Sequence, residues 1–292
     1  MKNLSNHKTI QLKPKYKIKK DNTPSYIYNE IFALIKRLYI QTQRRPSMLI
    51  SGVIQPLLWL VLFGALFHNA PVSLLTSNTK YNSFLSPGII IFTSFTGSIN
   101  AGLPLMFDRE FGFLNRLLIS PLKSRDSLLI STVFFIMTIT TGQTIFIMLF
   151  NIFVYKQNNQ NIITILSMLM ISILITLSIA SISICLAFLL PGHIELLALI
   201  LIINLPMLFS STALAPLSFM PYWLQVIASI NPLTYAIETI RYLSNVTDIQ
   251  NHEFIIQNVW INMTLNSSIY LLIFITILSI MVVKNIISYK FE

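Results

Sequence analysis

Long apolar runs alternate with short polar segments along most of the chain. Six of these runs carry almost no charged side chains and approach or exceed the length of about 20 residues that a helix needs to cross a bilayer. Prolines and glycines inside such runs are tolerated when neighbouring helices satisfy the freed backbone groups. The pattern predicts an all-α integral membrane protein with six transmembrane helices, at about residues 48–67, 84–107, 127–155, 162–190, 196–217 and 265–283.

The segment before the first run has two parts. Residues 1–24 are polar and rich in Lys, which predicts a disordered basic tail. Residues 25–46 are predicted to form an amphipathic helix in the membrane interface. The alternative is that this helix continues the first span, but Arg44-Arg45-Pro46 favours a boundary there. The apolar stripe consists of Ile27, Ile31, Leu34, Ile35 and Leu38, with Asn29, Lys36 and Arg37 opposite.

The stretch between the second and third runs, residues 107–126, is dense in charges of both signs. Its sequence FDREFGFLNRLLISPLKSRD holds four Lys or Arg and three Asp or Glu. Ser120-Pro121 would end a helix here, because the residue before proline disfavours the helical region. We therefore expect a cytoplasmic amphipathic helix that a partner protein can hold. The alternative is that the charges only solvate a loop. The apolar residues on one helical face are Phe111, Leu114, Leu117 and Leu118.

The segment between the fifth and sixth runs is apolar, yet too broken to cross a bilayer. Pro221 and Pro232 divide residues 217–244 into pieces that are each shorter than a span. We predict two short helices that form a re-entrant segment in the outer leaflet or pack as a structural lid over the spans. Glu238 and Arg241 are three residues apart and can pair on a helix. The aromatic residues that suit a membrane interface are Tyr222, Trp223 and Tyr235.

Positive charge is strongly one-sided. Of 20 Lys and Arg, 17 lie before position 46, in residues 107–126 or near the C-terminus. Lys80, Lys156 and Arg241 fall on the other side of the predicted membrane. Because Lys and Arg accumulate in cytoplasmic segments, both termini and residues 107–126 are expected on the cytoplasmic side or its organellar equivalent. We interpret the basic tail as a contact for anionic lipid, not for nucleic acid.

Composition agrees with a membrane protein and disfavours catalysis. Charged residues are 10% and mean hydropathy is +0.70, against about 25% charged residues in soluble domains. The chain has no GxxxxGK(S/T) phosphate loop and no set of residues placed for nucleophilic catalysis. Its four His and its single Cys185 lack metal-ligand spacing. We therefore expect no catalytic residue, cofactor or metal on this chain, and an energy source on a partner.

Three functions agree with these patterns to different degrees. A transport subunit energised by a partner fits the uncharged spans and the amphipathic cytoplasmic segment. A membrane assembly or scaffold protein would share the topology without transport. An ion-coupled carrier is disfavoured, because such carriers usually bury carboxylates, His or Lys at mid-membrane. An almost uncharged interior suits an amphiphilic substrate as well as plain helix packing.

Three motifs resemble the membrane subunit of ABC-2 type transporters, the group that includes daunorubicin-resistance-type permeases. The first is DREFGFLNRLLISPLKSRD at 108–126, and the most specific is LAPLSFMPYWLQVIASINPLTYAIETIR at 214–241. The third is the interfacial helix that ends in Arg44-Arg45-Pro46. The resemblance covers about residues 25–285, and the long basic tail departs from it. The Ile-, Asn- and Lys-rich composition with eight Gly is similar to the homologue encoded in red-algal plastids.

The resemblance implies a fold and a division of roles. Residues 47–285 would form the six-span domain, and residues 286–292 a cytoplasmic end. Two copies with two separate ABC ATPase subunits, which would bind ATP and Mg, would make one exporter in a plastid membrane, or alternatively in a bacterial plasma membrane. The coupling helix at 108–119 would contact the ATPase through Asp108, Arg109, Glu110, Phe111, Leu114, Arg116, Leu117 and Leu118. The re-entrant outer segment would include Pro221, Trp223, Asn231, Pro232, Tyr235, Glu238 and Arg241.

Overall fold

The computed structural model describes residues 24–44, 46–67, 81–113, 116, 126–155, 162–245, 254–257 and 262–291. Nearly all of them are helical, as predicted. The helices are α1 (Pro24–Gln43), α2 (Ser47–Leu66), α3 (Tyr81–Ile99), α4 (Gly102–Glu110), α5 (Asp126–Tyr155), α6 (Ile162–Leu189), α7 (His193–Phe209), α8 (Tyr222–Ile230), α9 (Pro232–Asn245) and α10 (Leu265–Phe291). A short 3-10 turn (Leu217–Phe219) and an antiparallel hairpin of β1 (Phe254–Gln257) and β2 (Asn262–Thr264) add to this helical fold.

Five helical segments in the described part of the chain are long and apolar enough to cross a membrane. They are Leu49–Leu66, Ser83–Glu110, Ser127–Val154, Thr164–Leu189 and Leu265–Ile286. They match the first four predicted spans and the last. The predicted span at 196–217 differs, because α7 ends at Phe209 and residues 210–213 form turns. Helix α7 has 17 residues, or about 26 Å at a rise of 1.5 Å per residue, close to a hydrocarbon core of about 30 Å.

The helices run between two ends of the bundle. We call the first the basic end, because it carries the charged segment that begins at the end of α4. There the Glu110 carboxylate accepts a hydrogen bond from the backbone N–H of His193 at the start of α7. At the second, which we call the opposite end, the Tyr81 hydroxyl donates to the carbonyl of Leu214, just past α7, at 3.2 Å. Helix α7 therefore reaches both ends beside α3 and α4, although it is shorter than the five segments above.

Helix α3 lies at the centre of the core. It contacts α2, α5, α6 and α9, and most of its side chains are buried, including Ile89 and Phe92. Its buried hydroxyls find partners within the helix. Thr93 donates to the Ile89 carbonyl at 2.7 Å, and Ser98 donates to the Ser94 carbonyl at 2.5 Å. Such bonds to preceding carbonyls allow small polar side chains to be buried at helix contacts.

A break at residues 100–101 separates α3 from α4. Pro104 explains it, because proline has no N–H and its ring would collide with the carbonyl four residues earlier, which lies in the break. Ser183 of α6 binds the freed groups. Its hydroxyl accepts from the Gly102 N–H at 2.9 Å and donates to the Ile99 carbonyl at 2.5 Å. Helices α3 and α4 therefore act as one membrane-crossing segment.

Helix α1 packs along α5 with its predicted apolar stripe. Leu34 and Leu38 are buried, whereas Phe32 on another side of the helix is exposed. The Tyr39 ring meets the Phe135 ring of α5 edge-on, with centroids 5.2 Å apart. The helix spans Pro24–Gln43, three residues short of the predicted end, and its predicted stripe faces α5. Its position in the membrane interface stays a prediction.

The approach of α3 to the 210–213 turn gives a test of this packing. A Cβ added at Gly88 would lie 2.7 Å from the Cα and the carbonyl oxygen of Ala213, and these backbone atoms cannot swing away. We expect Gly88→Ala to lower the free energy of unfolding by about 1–3 kcal/mol, because overpacking displaces the backbone. The measurement is the melting temperature of the purified protein in detergent.

Gly142→Ala is the matched control for this substitution. Nothing lies within 4 Å of a Cβ added at Gly142, and alanine favours a helix over glycine by about 1 kcal/mol. Its melting temperature should therefore stay level or rise. Equal melting temperatures for the two variants would show that α3 does not approach the turn as closely as described.

Candidate functional site

Helix α4 ends inside the segment that was predicted to be one coupling helix. Its last residue is Glu110, and Gly112 has a φ of 71°, in the left-handed region that favours glycine. A glycine in this conformation just past a helix is a common stop. The prediction of a single helix over 108–119 is therefore corrected. Asp108 to Glu110 complete the α3–α4 segment, and the chain turns before Phe113.

Arg109 binds the end of helix α6. Its guanidinium donates to four carbonyl oxygens, those of Ala187 at 2.9 Å, Phe188 at 3.3 Å, Leu190 at 2.5 Å and Pro191 at 2.7 Å. These carbonyls lie at or just past the C-terminus of α6, where C=O groups lack partners within the helix and the helix dipole is negative. Arg109 therefore caps α6 from another helix and is not a free surface charge.

Asp108 joins α4 to α1. Its carboxylate forms an ion pair with Arg37. The Arg37 guanidinium also lies over the Phe113 ring, 4.4 Å from the ring centroid, which is favourable for a cation and an aromatic face. The sequence pattern puts Arg37 on the polar face of α1. The structure shows that this part of the face meets α4 and the turn that follows it.

Glu110 joins α4 to the start of α7. One carboxylate oxygen accepts from the His193 N–H at 2.5 Å, and the other contacts the His193 ring at Nδ1. An acidic group is stabilising there, because the first N–H groups of a helix lack partners and the dipole is positive. The His193 ring also packs against Phe107, with centroids 5.2 Å apart. We call Asp108, Arg109 and Glu110 the α4 latch, because together they bind α1, α6 and α7.

Two described residues after the latch, Phe111 and Arg116, are exposed. The Phe111 side chain is 77% exposed, and its ring stacks on Phe107 with centroids 6.0 Å apart. Arg116 is also exposed, and its backbone N–H donates to the Gly112 carbonyl at 3.3 Å. Among the described coupling residues, Phe111 and Arg116 are thus the ones that project from the basic end. The predicted coupling residues that lie outside the described residues are Leu114, Leu117 and Leu118.

At the opposite end, Asn231 organises the junction of α7, α8 and α9. Its side-chain oxygen accepts from the Leu233 N–H at 2.9 Å and so caps α9. Its amide nitrogen donates to the Met207 carbonyl at 3.0 Å and to the Ser210 hydroxyl at 3.1 Å. Pro232 follows as the first residue of α9, a position where the missing N–H is not needed. This Asn-Pro pair fixes the short helices on the end of α7.

Arg241 is the buried charge of the opposite end. Its side chain is 8% exposed and pairs with Glu238, three residues earlier on α9, as the spacing predicts. The guanidinium donates to the carbonyls of Thr212 at 2.9 Å and Phe84 at 3.3 Å. It also lies 3.7 Å from the centroid of the Phe84 ring. One side chain therefore links α9, the turn after α7 and the start of α3.

Tyr81 adds a bond between the start of α3 and the segment after α7. Burial raises the pKa of Tyr81 from 10.0 to about 12, because a buried site disfavours the charged phenolate. The phenol therefore stays protonated at physiological pH. It remains able to donate its hydrogen bond to the Leu214 carbonyl.

The aromatic residues of the outer segment divide into two groups. Tyr222 and Trp223 are largely exposed, as expected for an interfacial position. Pro221 precedes α8 in extended backbone, with a ψ of 154°. Tyr235 differs from the expectation, because it is buried and its hydroxyl donates to the Ser229 carbonyl at 2.6 Å. Tyr235 therefore packs α9 onto α8 and is not an interfacial anchor.

Two residues that sequence reasoning did not select hold these sites together. His193 binds Glu110, which lies 83 positions earlier, and Ser183 binds backbone groups at the α3–α4 break. No local pattern shows partners so far apart. Asn231-Pro232 carried a local signal, because Asn is a favoured N-cap and Pro a favoured first helical residue.

The chain belongs to the ABC-2 type transporter family, which matches residues 29–244. The matched region runs from α1 to α9 and contains both the α4 latch and the Arg241 cluster. The protein is therefore an integral membrane transport subunit of this family. This result confirms the resemblance carried by the sequence motifs.

The relatives are named as permeases. The chain is 53% identical over 282 residues to "Putative transport permease ycf38" of Porphyra purpurea, covering 96% of this chain and 97% of that protein. The protein of the same name from Cyanophora paradoxa is 48% identical over 266 residues, covering 91% of each chain. "Probable doxorubicin resistance ABC transporter permease protein DrrC" of Mycobacterium tuberculosis is 25% identical over 205 residues, covering 70% of this chain and 73% of that protein.

The capping role of Arg109 can be tested by Arg109→Ala, which removes the donors to four carbonyls. Hydrogen bonds to charged groups contribute about 1.5–3 kcal/mol each, but water can replace Arg109 at the more exposed carbonyls. We therefore expect the free energy of unfolding to fall by about 2–4 kcal/mol. The melting temperature in detergent reports the loss. Arg116→Ala is the control, because Arg116 is exposed and shows no side-chain bond among the described residues. If both variants melt like the wild type, Arg109 does not cap α6.

The Arg241 cluster can be tested by a pair of substitutions. Arg241→Met leaves the Glu238 carboxylate in a mostly buried site without its cation, and breaking such a pair costs about 3–5 kcal/mol. Adding Glu238→Gln should recover part of the stability, because no unpaired charge then remains. Thermal unfolding in detergent gives both values. A double variant that is no more stable than Arg241→Met would contradict the ion pair.

Proposed function

We propose that this chain is the permease subunit of an ABC exporter that a separate ATP-hydrolysing subunit drives. The observation that carries the proposal is the α4 latch followed at once by the exposed Phe111. Because the charges at 108–110 already have partners within the chain, the described residues of this segment left to contact another protein are Phe111 and Arg116. An aromatic side chain on a firmly held helix end is well suited to fill a groove in a partner.

The proposal gives the chain six spans, with both termini on the cytoplasmic or stromal side. Helix α7 counts as the fifth span, and its bonds at both ends of the bundle support this. The orientation follows from the position of 17 of the 20 Lys and Arg. The basic end then faces the ATPase. Helices α8 and α9 form the re-entrant outer segment at the opposite end.

A movement applied at Phe111 would reach the spans through the α4 latch. Asp108 binds α1, Arg109 binds α6 and Glu110 binds α7. A displacement of the α4 end therefore moves several helices together instead of bending one of them. Two copies of the chain would shift between inward-open and outward-open states, with the substrate passing between them.

The partner supplies the nucleotide chemistry in this proposal. The chain has no phosphate-binding loop, so ATP and Mg would be bound by the ATPase subunit. Arg116, which is exposed, is available to select the partner by charge. The similarity to ycf38 permeases, which are encoded in plastids, supports a plastid membrane as the location.

The experiment is affinity purification from the native membrane, with ATP hydrolysis measured in the eluate. We expect the wild-type chain to bring an ATPase with it, and Phe111→Asp to reduce the co-purified activity about tenfold. A tenfold loss corresponds to about 1.4 kcal/mol, within the range for a central apolar contact. Phe153→Asp is the matched control, because Phe153 is 78% exposed but lies at the other end of α5, toward the opposite end.

Leu117→Asp and Leu118→Asp extend the test to the residues after the turn. If these variants and Phe111→Asp all keep the ATPase, the coupling segment is assigned wrongly. If the wild-type chain elutes without an ATPase from several mild detergents, the scaffold function replaces the exporter.

A further inference from the structure

A cavity of about 330 Å³ lies among helices α1 to α5, beside the break between α3 and α4. This volume falls at the lower end of the range for small-molecule sites, about 300–1,000 Å³. Four of its lining residues carry side-chain amides, Gln41 of α1, Gln55 of α2, Asn100 at the break and Gln143 of α5.

Gln143 presents an unpaired atom at this cavity. Its side chain is only 7% exposed, and its Oε1 is buried without a hydrogen-bond partner among the described residues. Its Nε2 makes one long bond, at 3.4 Å, to the Leu49 carbonyl. Leaving a buried oxygen without a partner is unfavourable, and such groups are normally satisfied by water or a ligand. The Gln143 oxygen therefore lacks a hydrogen-bond donor in the described part of the chain.

Two glycines make the room for this amide. A Cβ added at Gly52 would lie 2.4 Å from the Gln143 Nε2, and one added at Gly97 would lie 2.9 Å from its Oε1. At these two positions, α2 and α3 thus have no side chain between their backbone and the Gln143 amide. They hold Gln143 in the cavity wall without supplying a partner for its oxygen.

The chemistry of the wall selects the class of ligand. None of the described lining residues is charged, and the wall combines amides and hydroxyls with the rings of Phe107 and Phe135. Amides both donate and accept, so they match a group that bears several hydroxyls. A phosphate would find no cation among these residues, and burying an unpaired charge is costly.

The cavity continues into an apolar groove. Ser51 and Gln55 line both the cavity and a groove of about 800 Å³ along α2. The remaining wall of the groove is almost entirely apolar and includes the exposed side chains of Ile54, Leu58 and Leu62. A polar cavity joined to an exposed apolar groove fits one molecule that has a head group and an acyl chain.

We propose that this cavity binds the uncharged, hydroxyl-bearing head group of a membrane amphiphile. Gln143 accepts a hydrogen bond from a head-group hydroxyl, and the acyl chain lies along α2. A free glycoside carries the same hydroxyl chemistry, and the test below separates it from a lipid. The binding holds whether or not the bound molecule is the transported one.

The test uses the full chain in nanodiscs of phosphatidylcholine, phosphatidylglycerol and monoglucosyl diacylglycerol in equal parts, with retained lipids counted by native mass spectrometry. We expect preferential retention of the glucosyl lipid. Gln143→Met should reduce this retention about fivefold to tenfold, because it removes the amide and keeps a side chain of similar length. Asn151→Leu is the matched control, since Asn151 is also a buried amide of α5 with an unpaired Oδ1 but lies outside the cavity.

Excess methyl glucoside separates the two sources of the ligand. Displacement of the lipid by the sugar supports a site for free glycosides, and no displacement supports a lipid-borne head group. Equal retention of the three lipids overturns the proposal, as does unchanged retention by a folded Gln143→Met. If Gln143→Met does not fold, lipid retention is measured with Gln55→Met on the exposed side of α2. Reduced retention of the glucosyl lipid then supports the proposal, and unchanged retention overturns it.

The groove has its own test. A Leu62→Cys variant that forms a disulfide between two copies would put a second copy in the groove and overturn the placement of the acyl chain. Absence of the cross-link supports that placement. No ATPase takes part in these measurements, so their failure and the failure of the proposed export function are distinguishable.

Discussion

Inside a bilayer every backbone polar group has to find its partner within the protein, and this constraint accounts for the most informative side chains of the chain. The described helices are interrupted at residues 100–101, 190–192 and 210–213. Ser183 binds the groups freed at the first interruption, and Arg109 binds those at the second. Asn231 and Arg241 donate to backbone carbonyls at or beside the third interruption. Each interruption thus depends on a side chain from a different element.

The same constraint changes the meaning of the charges at the basic end. A dense group of charges beside a span suggests a docking surface, and the sequence shows the charges without their partners. In the fold, those partners lie 71 to 83 positions away. Because Asp108, Arg109 and Glu110 are used within the chain, the proposed contact with another protein centres on Phe111 and Arg116. In the proposed function, the latch would transmit movement and would not form the docking surface.

The parts of the fold that could be predicted have local signals. The spans follow from the length of apolar runs, α1 from a stripe of helical period, and the Glu238–Arg241 pair from a spacing of three residues. The end of α7 could not be predicted, because Asn231, 24 positions after Met207, binds its last turn. Gly112 is an intermediate case. It carried a stop signal, but the apolar period across 111–118 predicted a continuous helix more strongly.

The two ends of the bundle are held by different kinds of contact. This difference agrees with the proposal that movement begins at the basic end, where the ATPase would bind. Arg241 is buried, bound to two carbonyls and stacked on a ring, so that disturbing it is costly. The ion pairs of the α4 latch are more open, with side chains 28% and 14% exposed for Arg37 and Asp108, and 35% and 25% for His193 and Glu110. Partly exposed pairs contribute little to stability and are weakened by salt.

It follows that the bundle can rearrange at the basic end without loosening the opposite end. Loss of the Arg109 side chain at the basic end would be costly, because it donates to four carbonyl oxygens. The hydrogen bonds that join α4 to α6 are therefore harder to break than the ion pairs that join α4 to α1 and α7. In the proposed function, a displacement of Phe111 would therefore be passed most directly to α6, and through the weaker ion pairs to α1 and α7.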